Sequence, residues 1–224
     1  MVIEEKDFGG TLVRLGFGDD IRSQMPSGPW DNEPDFMEFV HKDTGYTIVI
    51  RRNGVGALCG YVGIDEDHLL HRRRYQDCLH EDAYLPTEEQ IIEGTKWLNG
   101  FTDDGFSFPE APHSMKEVVV KQYSETLHCP EGYDKGHCDH RLDSQFEVHG
   151  GITFTDFMVK SPVSDLSKWY IGFDCAHLGD KSPTLEKYAS RENDVYRDIS
   201  YVLDEATNLA NQIKKYEKLS DKEV

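Results

Sequence analysis

Tyr46-Thr-Ile-Val-Ile-Arg-Arg-Asn-Gly-Val-Gly-Ala-Leu-Cys-Gly-Tyr-Val62 is the stretch that decides the fold. Residues 46–52 are rich in β-branched and aromatic side chains. Asn53-Gly54 follows, and a second apolar run covers 55–62. Asn-Gly supplies the positive φ angles of a type I′ turn, so the segment predicts a β-hairpin. Antiparallel pairing is therefore expected at the centre of the chain.

Strand-like runs lie on both sides of the hairpin. Thr11–Phe17 is flanked by Gly9-Gly10 and Gly18-Asp19-Asp20 and is the one strand expected in residues 1–20. Residues 21–35 are rich in Pro, Gly, Ser and Asp and read as loop, and an apolar pattern resumes at Phe36–Val40. Further strands are expected at Met115–Tyr123, at about 145–155 and at 168–174. Thr87-Glu-Glu-Gln90 is a capping-box pattern and predicts a helix to about Leu98, closed by Asn99-Gly100. Residues 63–86, 101–114, 124–144 and 181–191 read as loops.

The C-terminal region is the clearest helix. Val195, Ile199, Val202, Leu203, Ala206, Leu209, Ala210 and Ile213 follow the i, i+3, i+4, i+7 register. Asn193 is the expected cap, and acidic residues early with lysines late match the helix dipole. These elements predict a single α+β domain over residues 1–224. Its core covers about 11–215, with a mainly antiparallel sheet and the long amphipathic helix packed on it.

Composition limits the function classes. The 224 residues are 38% hydrophobic and 11% aromatic, enough for a core, and the formal net charge is −18. Such a surface repels nucleic acid and anionic membranes, while a local basic cluster can still hold a small anion. No segment approaches the roughly 18 consecutive apolar residues of a membrane span. The first residues lack the order of a signal peptide, and five cysteines without one favour reduced thiols and a cytoplasmic location. There is no GxxxxGK[ST], no GxGxxG after a strand, no HExxH and no GxSxG, which argues against the enzyme classes built on those motifs.

The chemistry-bearing residues concentrate between Phe146 and Asp180. Glu147 and His149 alternate on an expected strand, and Gly150-Gly151 permits close backbone approach. Asp174, His177 and Asp180 are spaced three apart and converge if the chain turns tightly. Imidazoles with carboxylates suit a divalent metal that activates water, with His149, Asp174, His177 and Asp180 as ligands. The same set without metal gives a histidine general base held by a carboxylate. The plainer alternative is a turn whose side chains hydrogen-bond backbone amides. Arg72, Arg73 and Arg74, with His68 upstream, suit phosphate recognition if the loop folds over this site; otherwise they offset nearby carboxylates. Tyr61, Tyr75, Trp169 and Tyr170 are rings available to stack on a base. Cys129, His137, Cys138 and His140 hold the residue types of a zinc site but not its usual spacing. Cys175 reads as a small buried hydrophobe rather than a nucleophile.

Gly60-Tyr61-Val62 with His68, His149-Gly150-Gly151-Ile152-Thr153, Gly172-Phe173-Asp174-Cys175-Ala176-His177-Leu178-Gly179-Asp180 and the Tyr201-Val202 helix together resemble a family of small proteins from tailed phages and their bacterial hosts, known mostly as hypothetical proteins. The resemblance covers roughly residues 45–215. It implies a host cytoplasm and a phage accessory role, and by analogy the degradation or sequestration of nucleotide signals of bacterial immunity. Three functions follow as expectations. The first is a hydrolase of a small phosphate-containing molecule. The second is a binding protein that captures a nucleotide or blocks a host defence protein. The third is a phage structural protein. Oligomeric state stays open.

Overall fold

The computed structural model describes residues 1–18, 20–80, 140–158, 168–189 and 191–220. The chain forms two units, one of Met1–Tyr75 with Phe146–Val224 and one of Gln76–Gln145. In the first unit seven strands form one antiparallel sheet: β1 (Val2–Asp7), β2 (Leu12–Phe17), β3 (Phe36–Val40), β4 (Thr47–Arg52), β5 (Leu58–Ile64), β6 (Phe154–Phe157) and β7 (Trp169–Asp174). Their order across the sheet is β1-β2-β3-β4-β5-β7-β6. The α+β reading holds: the sheet carries a long C-terminal helix.

The hairpin β4–β5 forms with a turn chemistry different from the expected one. The loop spans Asn53–Ala57, and Gly56, not Gly54, takes the positive φ of 81°. Asn53 Oδ1 accepts from the Val55 and Ala57 amides at 3.0 and 3.1 Å, so the side chain closes the turn locally. The type I′ geometry sits instead at Gly9-Gly10, both at positive φ, where Phe8 and Thr11 exchange backbone hydrogen bonds and join β1 to β2. β1 was not expected. Its sequence Val-Ile-Glu-Glu-Lys-Asp is polar because it is an exposed edge strand with little apolar surface to bury.

Cross-strand pairs of glycine with an aromatic residue lock β5 to β7. Gly60 faces Phe173, Tyr61 faces Gly172, and Gly63 faces Tyr170. In each pair the ring lies where a Cβ on the glycine would be. Ring burial thus replaces the missing side chain, and register becomes specific, because a one-residue slip would drive rings into side chains.

The helix expected near 195–213 is Ile199–Ser220. It begins four residues later than Val195, because Asp198 Oδ1 accepts from the Tyr201 amide at 2.8 Å and so caps the first turn in place of Asn193. Val195 pairs its backbone with Asp180 instead. The helix packs on β4 and β5. Val202, Ala206, Leu209, Ala210 and Ile213 are completely buried. Gly60 leaves room for this approach, with the Ala206 Cβ 3.3 Å from where a Cβ at Gly60 would stand. Ile48, Ile50, Leu58, Val62, Ile64, Ile171 and Phe173 share that face by register and are buried. Burying Leu209 and Ile213 stabilises the fold by roughly 1.5–3 kcal/mol each. On the other face Phe36, Val49, Met158 and Tyr170 form a second cluster, with Tyr61, Phe154 and Ile3 against it.

The end of β4 carries a buried ionic network. Arg52 follows Ile48 and Ile50 in phase, so its side chain enters the core. Its guanidinium donates to Asp35 Oδ1 at 2.8 Å, Glu33 Oε2 at 3.1 Å, Gly56 O at 2.9 Å and Tyr196 Oη at 2.9 Å. Asp35 also takes Arg22 Nε at 2.7 Å and the Gly18 amide at 2.9 Å. Glu33 Oε1 accepts from the Ile199 amide at 3.0 Å, placing a carboxylate at the positive end of the long helix. Trp30 packs edge-on against Tyr196 with ring centres 5.0 Å apart. The loop expected over 21–35 is thus ordered around Arg22 and Asp35, with two short 3-10 turns at Asp20–Gln24 and Pro29–Asn32.

In the second unit the described residues form a short antiparallel bridge between Cys78 and Arg141, followed by a helical turn at Leu142–Gln145. The His80 and His140 rings lie 3.9 Å apart. The expected helix at Thr87–Leu98, the strand at Met115–Tyr123 and Cys129, His137 and Cys138 lie outside the described residues. Among the described residues no helix is long and apolar enough to cross a membrane.

Candidate functional site

His149 stands in a turn rather than on the expected strand. Gly150 and Gly151 both take positive φ, 66° and 84°, and the Gly151 amide donates to Val148 O at 2.9 Å, as in a type II turn with Gly150 at its third position. The strand resumes only at Phe154. The preceding segment is held by a polar stripe on the long helix. Gln212 brackets the Glu147 peptide group, its Oε1 accepting from Glu147 N at 2.8 Å and its Nε2 donating to Glu147 O at 2.7 Å. Glu205 Oε2 accepts from the His149 amide at 2.8 Å. Tyr201 Oη lies 3.0 Å from His149 Nδ1. Tyr201, Glu205, Asn208 and Gln212 recur at helical spacing, so one face of the helix positions His149. Glu147 itself is exposed, and its backbone, not its carboxylate, makes these bonds.

The second half of the site hangs from the end of β7. Asp174 Oδ1 accepts from the Ala176 amide at 3.0 Å, and its Oδ2 accepts from Thr153 Oγ1 at 2.9 Å. The chain then turns, and the bridge from Asp180 to Val195 fixes the backbone of Asp180. His149 Nε2 lies 2.7 Å from Asp180 Oδ2. Arg197 Nε donates to Asp180 Oδ1 at 2.9 Å, and the His177 amide donates to Oδ2 at 3.1 Å. His177 Nδ1 lies 3.7 Å from Asp180 Oδ2 and 3.9 Å from Asp174 Oδ1, beyond hydrogen-bond range. The two imidazole centres are 5.7 Å apart.

Asp180 is the buried centre of this arrangement, its side chain 2% exposed. Burial alone would raise its pKa, but the hydrogen bonds from His149, Arg197 and the His177 amide outweigh burial and hold it below the ordinary carboxylate value. The Arg197 guanidinium also lies over the Tyr201 ring, 4.8 Å from its centre. Burial raises the Cys175 thiol strongly, so this residue between Asp174 and His177 is an inert neighbour and no thiolate nucleophile.

Gly150 has a special role. Its φ is left-handed, and a Cβ there would collide with the His177 ring. Gly150→Ala is expected to cost about 1–3 kcal/mol through backbone strain and displacement of that ring. A denaturant titration checks this; an unchanged midpoint would contradict the packing of His177 on the Gly150 backbone.

The structure therefore brings together His149, Asp174, His177 and Asp180 with Gly150, and adds Tyr201, Arg197, Glu205 and Thr153. It places the other expected ligand residues elsewhere. Trp169 starts β7 and Asp174 ends it, about 17 Å apart at the rise of a strand. Trp169 Nε1 donates to Arg73 O at 3.0 Å, so Arg72, Arg73 and Arg74 sit at the far end of β7 and do not lid the site. Arg72 stacks its guanidinium near the Phe157 ring and has a left-handed φ of 61°. Tyr61 packs edge-on against Phe154. His68 is buried: its Nδ1 accepts from the Leu70 amide at 3.1 Å and its Nε2 bonds Tyr46 Oη at 3.2 Å. Desolvation lowers its pKa, which suits a neutral side chain held between Tyr46 and the Leu70 amide.

Among the described residues, the ring nitrogens of His149 and His177 and a carboxylate oxygen of Asp180 lie within 4.8 Å of one another and are the group suited to a metal. Asp174, expected as a fourth ligand, has both carboxylate oxygens engaged by Thr153 and the Ala176 amide. Compared with known proteins, the chain matches no family model, no curated protein and no solved structure.

Proposed function

We propose that the chain is a hydrolase acting on a small phosphate-containing molecule, with the His149–His177–Asp180 cluster as its water-activating centre. The observation that carries this reading is a single buried carboxylate, Asp180, which orients His149 through one oxygen, faces His177 with the same oxygen and holds Arg197 through the other. A carboxylate that orients imidazole beside a guanidinium is an arrangement suited to proton transfer next to an anion.

Water bound at the cluster attacks phosphorus. Its proton leaves to His177 Nδ1, the ring nitrogen without a hydrogen-bond partner, or to solvent when a metal ion holds the three donors; the new P–O bond forms and the bond to the leaving oxygen breaks. Arg197 uses only Nε on Asp180, so its terminal nitrogens are available to meet the phosphate oxygens. This is the role the sequence suggested for Arg72–Arg74. Tyr201 holds the His149 ring from its other nitrogen. The likeness to small phage proteins adds the expectation of an accessory role in a host cytoplasm, with nucleotides as the natural substrate class.

Of the four rings considered for stacking in the capture reading, Tyr61 and Trp169 pack against Phe154 and Phe157 and Tyr170 is buried, while Tyr75 is partly exposed. Incubation with ATP, cyclic AMP, p-nitrophenyl phosphate and bis(p-nitrophenyl) phosphate, followed by mass spectrometry, separates the two. Hydrolysis products that require the folded chain are expected. Tight binding with every compound recovered unchanged would replace the hydrolase by a binding protein.

A further inference from the structure

We propose that His149 Nε2, His177 Nδ1 and Asp180 Oδ2 bind a divalent first-row metal ion, Zn²⁺ by the chemistry of the donor set. The inference rests on reading this cluster as the reactive centre, but its test reads bound metal rather than turnover, so each can fail alone.

Two independent observations converge. One ring nitrogen each of His149 and His177 and a carboxylate oxygen of Asp180 lie within 4.8 Å of one another, brought together from two chain segments. In addition, His177 Nδ1 is buried and makes no hydrogen bond. A buried ring nitrogen left without a partner is costly. His177 Nδ1 lies 3.7 Å from Asp180 Oδ2. That separation is too long for a hydrogen bond but close to the roughly 3.4 Å between two ligands of a tetrahedral ion bound at about 2.0–2.1 Å.

The surrounding contacts match those of a metal centre. Ligating histidines are held through their second nitrogen, and ligating carboxylates through their second oxygen. His149 has Tyr201 Oη at 3.0 Å on Nδ1, and Asp180 has Arg197 Nε at 2.9 Å on Oδ1. His177 is seated against Gly150, where a side chain would expel it. The 2.7 Å bond between His149 Nε2 and Asp180 Oδ2 holds a proton where the ion would sit. Coordination replaces that proton and opens the pair by several tenths of an ångström. Two nitrogens and one oxygen leave a fourth position for water, the donor set of catalytic rather than structural zinc. An all-oxygen site would favour Mg²⁺ or Ca²⁺; two imidazoles favour zinc.

The test uses the full chain, stripped with a chelator and titrated with Zn²⁺ and Mg²⁺ by calorimetry, with elemental analysis after dialysis. Cobalt substitution supplies a visible spectrum of the coordinated ion. One zinc per chain at the cluster, little magnesium, and ligand-field bands with cobalt are expected. The His149→Ala/His177→Ala double variant should lose this ion and the bands, with circular dichroism checking that it remains folded. Tyr201→Phe, which keeps all three donors, should weaken binding about 10–100-fold. Absence of stoichiometric zinc in the folded wild type, or zinc binding and cobalt bands unchanged in the double variant, would overturn the proposal. If the double variant unfolds, Tyr201→Phe decides: unchanged affinity there counts against the site.

Discussion

Arg52→Met is expected to destabilise the fold by about 3–5 kcal/mol, the range for breaking a buried ion pair by removing one partner. The Arg52 and Asp35 side chains are both 0% exposed. The substitution keeps most of the side-chain volume but removes every side-chain donor that Arg52 offers to Asp35, Glu33, Gly56 and Tyr196. Asp35 retains Arg22 and the Gly18 amide, and Glu33 retains Tyr196 and the Ile199 amide. These remaining bonds place the cost toward the lower end of the range. The loss should appear in a urea titration as a lower midpoint at similar slope. An unchanged midpoint would mean that the remaining partners of Asp35, Arg22 and the Gly18 amide among them, satisfy it without Arg52. It would also deny the network its role in tying β3, β4 and the helix start together.

Asp180→Asn is expected to lower kcat/KM by at least about 100-fold, the low end of what a positioned acid–base group contributes. Asparagine can still accept from Arg197 or from the His177 amide, so the turn survives. It carries no negative charge to set against His149 and Arg197. The same residue links stability to pH. Its folded pKa lies below the ordinary carboxylate value of 3.8, so its contribution is fully present above that value and is lost as pH falls through the folded value. Between about pH 5 and pH 2 the wild type should therefore lose stability more steeply than the Asn variant. Parallel pH profiles, measured by chemical denaturation, would show that Asp180 is not held as a stabilised carboxylate.

The sequence revealed most where periodicity and burial agree. The buried helix residues Val202, Ala206, Leu209, Ala210 and Ile213 were all in the expected register, and β4–β5 paired as a hairpin. Polar sequence was harder to read. β1 buries too little to show an apolar pattern. The helix start was misplaced because Val195 is apolar and in phase, yet 49% exposed and engaged in a bridge. Arg52 looked like the polar end of a strand, although its phase with Ile48 and Ile50 placed it inside.

The site was legible in part for the same reason. His149, Asp174, His177 and Asp180 stood out because imidazole and carboxylate cluster near glycines. Their supports came from far along the chain. Tyr201 and Glu205 carried no site signal in the sequence, although Tyr201, Glu205, Asn208 and Gln212 recur at helical spacing. Arg197 had no signal before the fold brought it to Asp180. The Arg72–Arg74 run attracted attention as a rare basic cluster in an acidic chain. Only the antiparallel register shows that it belongs to the opposite end of β7.

The most direct test of the proposed hydrolytic centre is hydrolysis of bis(p-nitrophenyl) phosphate in isotopically labelled water by the wild type and by His177→Ala, compared at equal folded fraction. Label in the phosphate product, with the variant slower by at least about 100-fold, is the predicted result. Wild-type and variant rates that are equal, or no labelled product from either, would contradict the account.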